Sequence, residues 1–140
     1  MSVKRLINRC PAWIFSIIVV LAILYLTLVP RPLPELDIPL FPGADKVVHA
    51  IMMMGMMWCI ALDLMRHKSL SSAVAPKSRL VIALLCTIAF GGAIELVQGA
   101  MKMGRGEDIY DFLADVIGAI IGYVVVVIVW EPLVRWLQDE

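Results

Sequence analysis

Four apolar stretches alternate with short polar connections along the 140-residue chain. Residues 12–29, 47–65, 80–99 and 112–130 each approach the ~20 residues that a helix needs to cross a hydrocarbon layer. Inside a bilayer no water meets the backbone, so such segments must satisfy their own amides as helices. A membrane barrel would need short alternating strands. The run Val124-Val125-Val126-Val127-Ile128-Val129 does not alternate. Its β-branched residues lower helix propensity in water, but the bilayer overrides that preference. The expected fold is all-α: one membrane domain over residues 1–140, built as a four-helix bundle.

The connections read as loops. Pro30, Pro32, Pro34, Pro39 and Pro42 exclude a continuous helix from the first. The second is polar and basic. The third carries Gly104 and Gly106. No internal repeat is visible, which gives no support to an inverted-repeat transporter.

Composition agrees with a membrane chain. Apolar residues reach 61 % and charged residues 17 %, against about 45–50 % and about 25 % in soluble domains. A soluble fold this short could not bury so much apolar surface. Twelve basic residues balance twelve acidic ones, which excludes a basic nucleic-acid binder. The basic start and following apolar run resemble a secretory signal, but residues 12–29 outlast its ~7–15-residue core. Pro-Arg-Pro-Leu-Pro follows rather than a small-residue cleavage site. The segment is expected to stay as the first span. Cys10, Cys59 and Cys86 are odd in number and have no CxxC spacing. They read as small hydrophobes rather than a disulfide or zinc set.

Lys4, Arg5, Arg9, Arg66, Lys68, Lys77, Arg79 and Arg135 fall on one side of such a bundle. Only Arg31, Lys46, Lys102 and Arg105 fall on the other. The positive-inside rule places both termini in the cytoplasm. Trp13, Trp130 and Trp136 then fit an inner interfacial belt.

The acidic residues sort the opposite way. Glu35, Asp37, Asp45, Glu95, Glu107, Asp108, Asp111 and Asp115 lie at or near the outer side. Asp45 and His49 are four apart and share a helix face. Glu95 and Gln98 lie near the outer end of the third span, with Gly91 and Gly99 on the Glu95 stripe. Asp111, Asp115, Gly118 and Gly122 share a face of the fourth. The Gly-x-x-x-Gly pair allows close helix approach, so both aspartates should point into the bundle. An ionised group near mid-bilayer costs about 2.5–3.5 kcal/mol on insertion scales, so such groups are functional candidates that pair where they can. Lys46, His49, Lys102 and Arg105 are the available partners. The bland alternative is a structural network that orients the helices. Asp63, Glu107 and Glu131 read as interfacial charges. Met52, Met53, Met54, Met56 and Met57 cover all faces of one helix and read as core or lipid contact rather than a soft-metal site. His67 lies in the basic connection, where a solvated role is the default. No phosphate loop, HExxH or GxSxG occurs.

Asp45-Lys46-x-x-His49, Glu95-x-x-Gln98 and Arg105-x-x-Asp108-x-x-Asp111-x-x-x-Asp115-x-x-Gly118-x-x-x-Gly122, with Pro30 after the first span, together resemble the VanZ-like membrane family. The likeness covers roughly residues 30–122. It implies a small bacterial envelope protein whose shared residues are the outer cluster: Asp45, Lys46, His49, Glu95, Gln98, Arg105, Asp108, Asp111 and Asp115. The family's namesake is associated with resistance to the lipoglycopeptide teicoplanin. Asp115 stands where the family more often has Asn, which changes the cluster's charge balance. Met53 stands where an aromatic residue commonly follows, which alters the expected pocket wall.

Three functions remain open. The first is binding or remodelling of envelope lipids or lipid-linked glycan precursors at the outer leaflet of the bacterial inner membrane. There Arg105 and Lys46 would hold an anionic headgroup. Asp45, Glu95, Asp111 and Asp115 would accept hydroxyls or a cation. The second is an intramembrane enzyme acting on a lipid headgroup, with His49 as a base oriented by Asp45 or Glu95, or with a metal held by His49 and the carboxylates. The third is a transport or partner subunit, which would need oligomerisation.

Overall fold

The computed structural model describes residues 7–29, 41–66, 77–102 and 108–138, and all regular structure among them is helical. Four helices follow in order: α1 (Ile14–Leu28), α2 (Ala44–Arg66), α3 (Lys77–Met101) and α4 (Ile109–Gln138). Ser16, early in α1, meets Asp63, late in α2. Gln98, late in α3, meets Thr27, late in α1. Asp108, just before α4, meets Glu95, late in α3. The helices therefore alternate in direction, with α2 parallel to α4.

α2, α3 and α4 are long and apolar enough to cross a membrane. α1 is shorter than the span expected at residues 12–29. It has 15 residues, about 22 Å at the usual rise and short of a ~30 Å hydrocarbon layer. Its start is delayed by Trp13, which takes a left-handed conformation (φ 62). α4 runs eight residues past the expected end, through Pro132. The apolar face explains this extension. Val126, Trp130, Val134 and Leu137 recur every three or four residues and are all buried, with Met57, Ala61, Leu80 and Ala83 around them. Trp130 is 0 % exposed and belongs to this core, not to an interfacial belt; Trp13 and Trp136 are exposed. Met53, Met56 and Met57 are buried. Large apolar side chains cover the outside, among them Ile82, Leu85, Ile117, Val124 and Ile128. An apolar exterior around buried polar groups suits lipid as the surrounding solvent.

α2 and α4 make the most extensive helix contact, and small residues permit it. A Cβ on Gly118 would stand 2.1 Å from the Ala50 carbonyl oxygen, and one on Gly122 3.0 Å from Met57 Cβ. Backbone approach of this kind supplies dispersion contacts that lipid-facing apolar residues cannot.

The opposite end holds a second polar junction. Asp63 is fully buried, not the interfacial charge expected. One of its oxygens accepts both the Ser16 N–H and the Ser16 hydroxyl, each at 2.8 Å. Ser16 lies in the first turn of α1, so the carboxylate meets the positive end of that helix and satisfies an amide with no partner inside it. Arg66 pairs with Asp63 at 3.3 Å. Its guanidinium also donates to the carbonyls of Ile7 and Pro11 and stacks over Phe15, 5.0 Å from the ring centre. Asn8 donates to the Leu137 carbonyl. Residues near the two chain ends therefore share one end of the bundle.

Three substitutions test this packing by thermal unfolding in detergent. Gly118→Val is expected to cost about 1–3 kcal/mol or more, the range for overpacking. Gly55→Ala, with nothing within 4 Å of the new methyl, is expected to leave stability unchanged or raised. Asp63→Ala should destabilise by about 3–5 kcal/mol, because it strands a buried guanidinium.

Candidate functional site

The polar cluster is assembled by three helix ends. α2 enters through a tight turn: the Ala44 N–H reaches the Phe41 carbonyl at 3.1 Å. Pro42 and Gly43 occupy the middle positions, Gly43 with φ 86. This is the type II turn, whose third position favours glycine. It delivers Asp45, Lys46 and His49 on the first turns of α2. Asp108 starts α4 as its N-cap. Its Oδ1 accepts the Tyr110 N–H at 2.8 Å, which satisfies an unpaired first-turn donor. The same residue donates its own N–H to Glu95 Oε2 at 3.1 Å and offers Oδ2 to Lys46 at 3.0 Å. Asp108 thus joins α2, α3 and α4. The Tyr110 amide bond, and after it the Lys46 ammonium, hold its carboxyl below the usual aspartate range.

Lys46 Nζ donates to three carboxylates: Asp45 at 2.8 Å, Asp111 at 2.9 Å and Asp108 at 3.0 Å. Deeper in, His49 Nδ1 lies 3.0 Å from Asp115 Oδ1 and 3.8 Å from Glu95 Oε1, while Nε2 lies 3.9 Å from Asp111 Oδ2. Side-chain exposure falls from 57 % at Asp45 and 34 % at Lys46 to 10 % at His49 and 0 % at Asp115. The cluster is therefore a graded chain of charge leading from one end of the bundle into its interior. At the bottom, Glu95 Oε1 and Asp115 Oδ2 are buried without a hydrogen-bond partner.

Seven of the nine expected residues meet here: Asp45, Lys46, His49, Glu95, Asp108, Asp111 and Asp115. Gln98 is turned elsewhere. It is buried and its Nε2 donates to the Thr27 carbonyl at 2.9 Å, which ties α3 to the end of α1. Arg105 lies outside the described residues. The carboxylate that orients His49 is Asp115; Asp45 is engaged by Lys46 instead. An asparagine at 115 could still accept from His49; what the aspartate adds is a second acceptor oxygen, Oδ2, and not a new contact. It sits against Gly91, whose Cβ would fall 2.7 Å from Asp115 Oδ2. Met53 is fully buried in the core.

Sequence reasoning missed a groove between α3 and α4. Its volume is about 780 Å³, and Ala89, Gly92, Ala93, Leu96, Ile109 and Phe112 line it, with Glu95 and Asp108 as its polar members. Ala89, Gly92, Ala93 and Leu96 stand at i, i+3, i+4 and i+7, and that helical stripe, small except for Leu96, was the available signal.

Apolar helices around a buried polar cluster define a helical membrane protein. A family model described as VanZ/LLP1 matches residues 12–130. The chain therefore belongs to the VanZ/LLP1 family. No curated protein and no solved structure matches it.

Replacing Lys46 tests the outer part of the cluster. Lys46→Met leaves Asp45, Asp108 and Asp111 facing one another without a cation. Its melting temperature should fall, most at low salt, where surface charges are least screened. Adding Asp111→Asn should recover part of the loss.

Proposed function

We propose that this VanZ-family chain binds the headgroup of an envelope lipid or lipid-linked glycan precursor at the outer leaflet of the bacterial cytoplasmic membrane. In this reading the chain is multi-pass, both termini are cytoplasmic and the polar cluster faces outward. The basic residues near the opposite end support that orientation. So does the placement of residues near both chain ends at that same end.

The observation that carries the reading is the groove. It is apolar along α3 and α4 and carries two carboxylate residues, Glu95 and Asp108, with Glu95 Oε2 accepting the Asp108 backbone N–H. Its size falls within the ~300–1,000 Å³ of small-molecule sites. An acyl or prenyl chain fits the apolar part, and headgroup hydroxyls or amines donate to Glu95 and Asp108. Lys46 is already engaged by three carboxylates, so it is a poor phosphate ligand, contrary to the expectation from sequence. Arg105 is the proposed partner for a headgroup phosphate. Altered teicoplanin susceptibility would follow from binding the precursors on which glycopeptides act.

A second reading is an intramembrane enzyme. It is favoured by the His49–Asp115 pair, the arrangement a general base needs. The apolar core below the cluster, with Met57, Leu80, Val126 and Trp130 buried, favours neither an ion path nor a transport subunit.

Lipid retained by purified protein, read by native mass spectrometry, tests the proposal. Gly92→Leu, which fills the groove, and Glu95→Gln, which removes an acceptor charge, should each reduce retained lipid severalfold. Equal retention in both variants and wild type would sink the reading. Turnover of a lipid headgroup by wild type but not His49→Ala would favour the enzyme instead. Equal teicoplanin sensitivity of cells with wild-type protein and cells with none would remove the susceptibility part.

A further inference from the structure

We infer that His49, Glu95 and Asp111 form a binding site for one divalent transition-metal cation at the floor of the cluster. The inference deepens the headgroup reading, because a cation there would present a coordination position to a headgroup oxygen. It rests on that reading only for the ligand, not for the site itself.

Three helices each contribute one donor. One ligand atom from each residue can be chosen so that all lie within 4.8 Å of one another. Metal–ligand bonds of 2.0–2.2 Å set tetrahedral ligand atoms about 3.4 Å apart. Asp111 Oδ2 lies 3.9 Å from Nε2, whereas Glu95 Oε1 lies 3.8 Å from Nδ1, so an ion on Nε2 needs the Glu95 side chain to turn past the ring edge.

The second observation is the stranded acceptor. Glu95 is 6 % exposed. Its Oε2 is held by the Asp108 N–H, and its Oε1 is buried with no hydrogen-bond partner, 3.8 Å from His49 Nδ1. A buried anionic oxygen without a partner is costly unless a positive charge faces it. The nearby trio Asp45, Asp108 and Asp111 also converges, but Lys46 Nζ bonds all three. Among the described residues, the ion pairs of Glu95 and Asp115 are with His49 alone.

The imidazole is arranged as a ligand. With Asp115 Oδ1 accepting from Nδ1, the lone pair lies on Nε2. A carboxylate–imidazole–metal relay fixes the tautomer and makes the nitrogen more basic. Asp111 divides its oxygens in the same way: Oδ1 accepts from Lys46, and Oδ2 turns toward Nε2. One nitrogen and two carboxylate oxygens suit zinc or manganese and leave a position open for water or a headgroup oxygen.

The test uses the full chain in nanodiscs, stripped with EDTA and then titrated with Zn²⁺, Mn²⁺ or Co²⁺. Bound metal is counted after desalting, and thermal unfolding is followed. Wild type should hold one ion per chain, unfold at a higher temperature with metal, and show the visible Co²⁺ band of a low-coordinate site. Glu95→Gln and Asp111→Asn should lose the ion; Glu131→Gln, at the far end, should keep it. Asp115→Asn, acting through His49, should weaken binding roughly 10–100-fold. Wild type that retains none of the three ions, or Glu95→Gln and Asp111→Asn that bind like wild type, would overturn the inference. Because wild type is read directly, a variant that fails to fold does not decide the matter. Lipid retained before and after stripping separates the two ideas: retention without any metal binding sinks the cation site alone, and metal binding with no lipid retained by either metal-loaded or stripped protein sinks the headgroup reading alone.

Discussion

Backbone contact between α2 and α4 at Gly118 and Ala50 is the constraint on which the site depends. Because a methyl group at 118 would overlap the Ala50 carbonyl, the two helices run closer than side chains ordinarily allow. They are parallel and in register. Lys46 therefore faces Asp111, and His49 faces Asp115 one turn further in. A wider separation would leave those aspartates beyond hydrogen-bond reach of their partners, in a medium that offers no water to replace them.

Charge in the cluster is compensated unevenly. At the exposed end one ammonium serves three carboxylates. In the buried part an imidazole faces three carboxylates, and two of them, Glu95 and Asp115, keep an unpartnered oxygen. Buried polar networks are usually satisfied throughout, and these two oxygens are exceptions, as are Asp63 Oδ1 and Arg66 Nε at the far end. The exposed half has the character of a structural clamp. The buried half has the character of a site, and Glu95 connects it to the apolar groove.

The two ends of the bundle solve related problems with different results. At the Asp63 end, Ser16 meets one carboxylate oxygen and the Arg66 guanidinium faces the other, while that guanidinium also fixes the chain entering α1. That junction locks a short helix in place. At the other end the acids outnumber the cations among the described residues, and Asp108 gathers three helices through its amide and both of its oxygens.

Much of this was legible in the chain itself. Four apolar stretches, the Gly118–Gly122 pair and the gathering of charged residues toward one side dictated helices and a polar end, because periodicity and hydropathy are local properties. The VanZ-like motifs pointed to the same residues. Other features depended on neighbours distant in sequence. Asp63 looked interfacial, since nothing nearby announces that Ser16 will meet it. Trp130 looked like a belt residue until Val134 and Leu137 continued its buried face past Pro132. Gln98 could not be assigned between the cluster and α1 from spacing alone. The choice of Asp115 over Asp45 as the partner of His49, and the stranding of Glu95 Oε1, were decided only by tertiary structure. Helix rotation and depth set these pairings, and both are fixed by contacts between helices rather than by the sequence within any one of them.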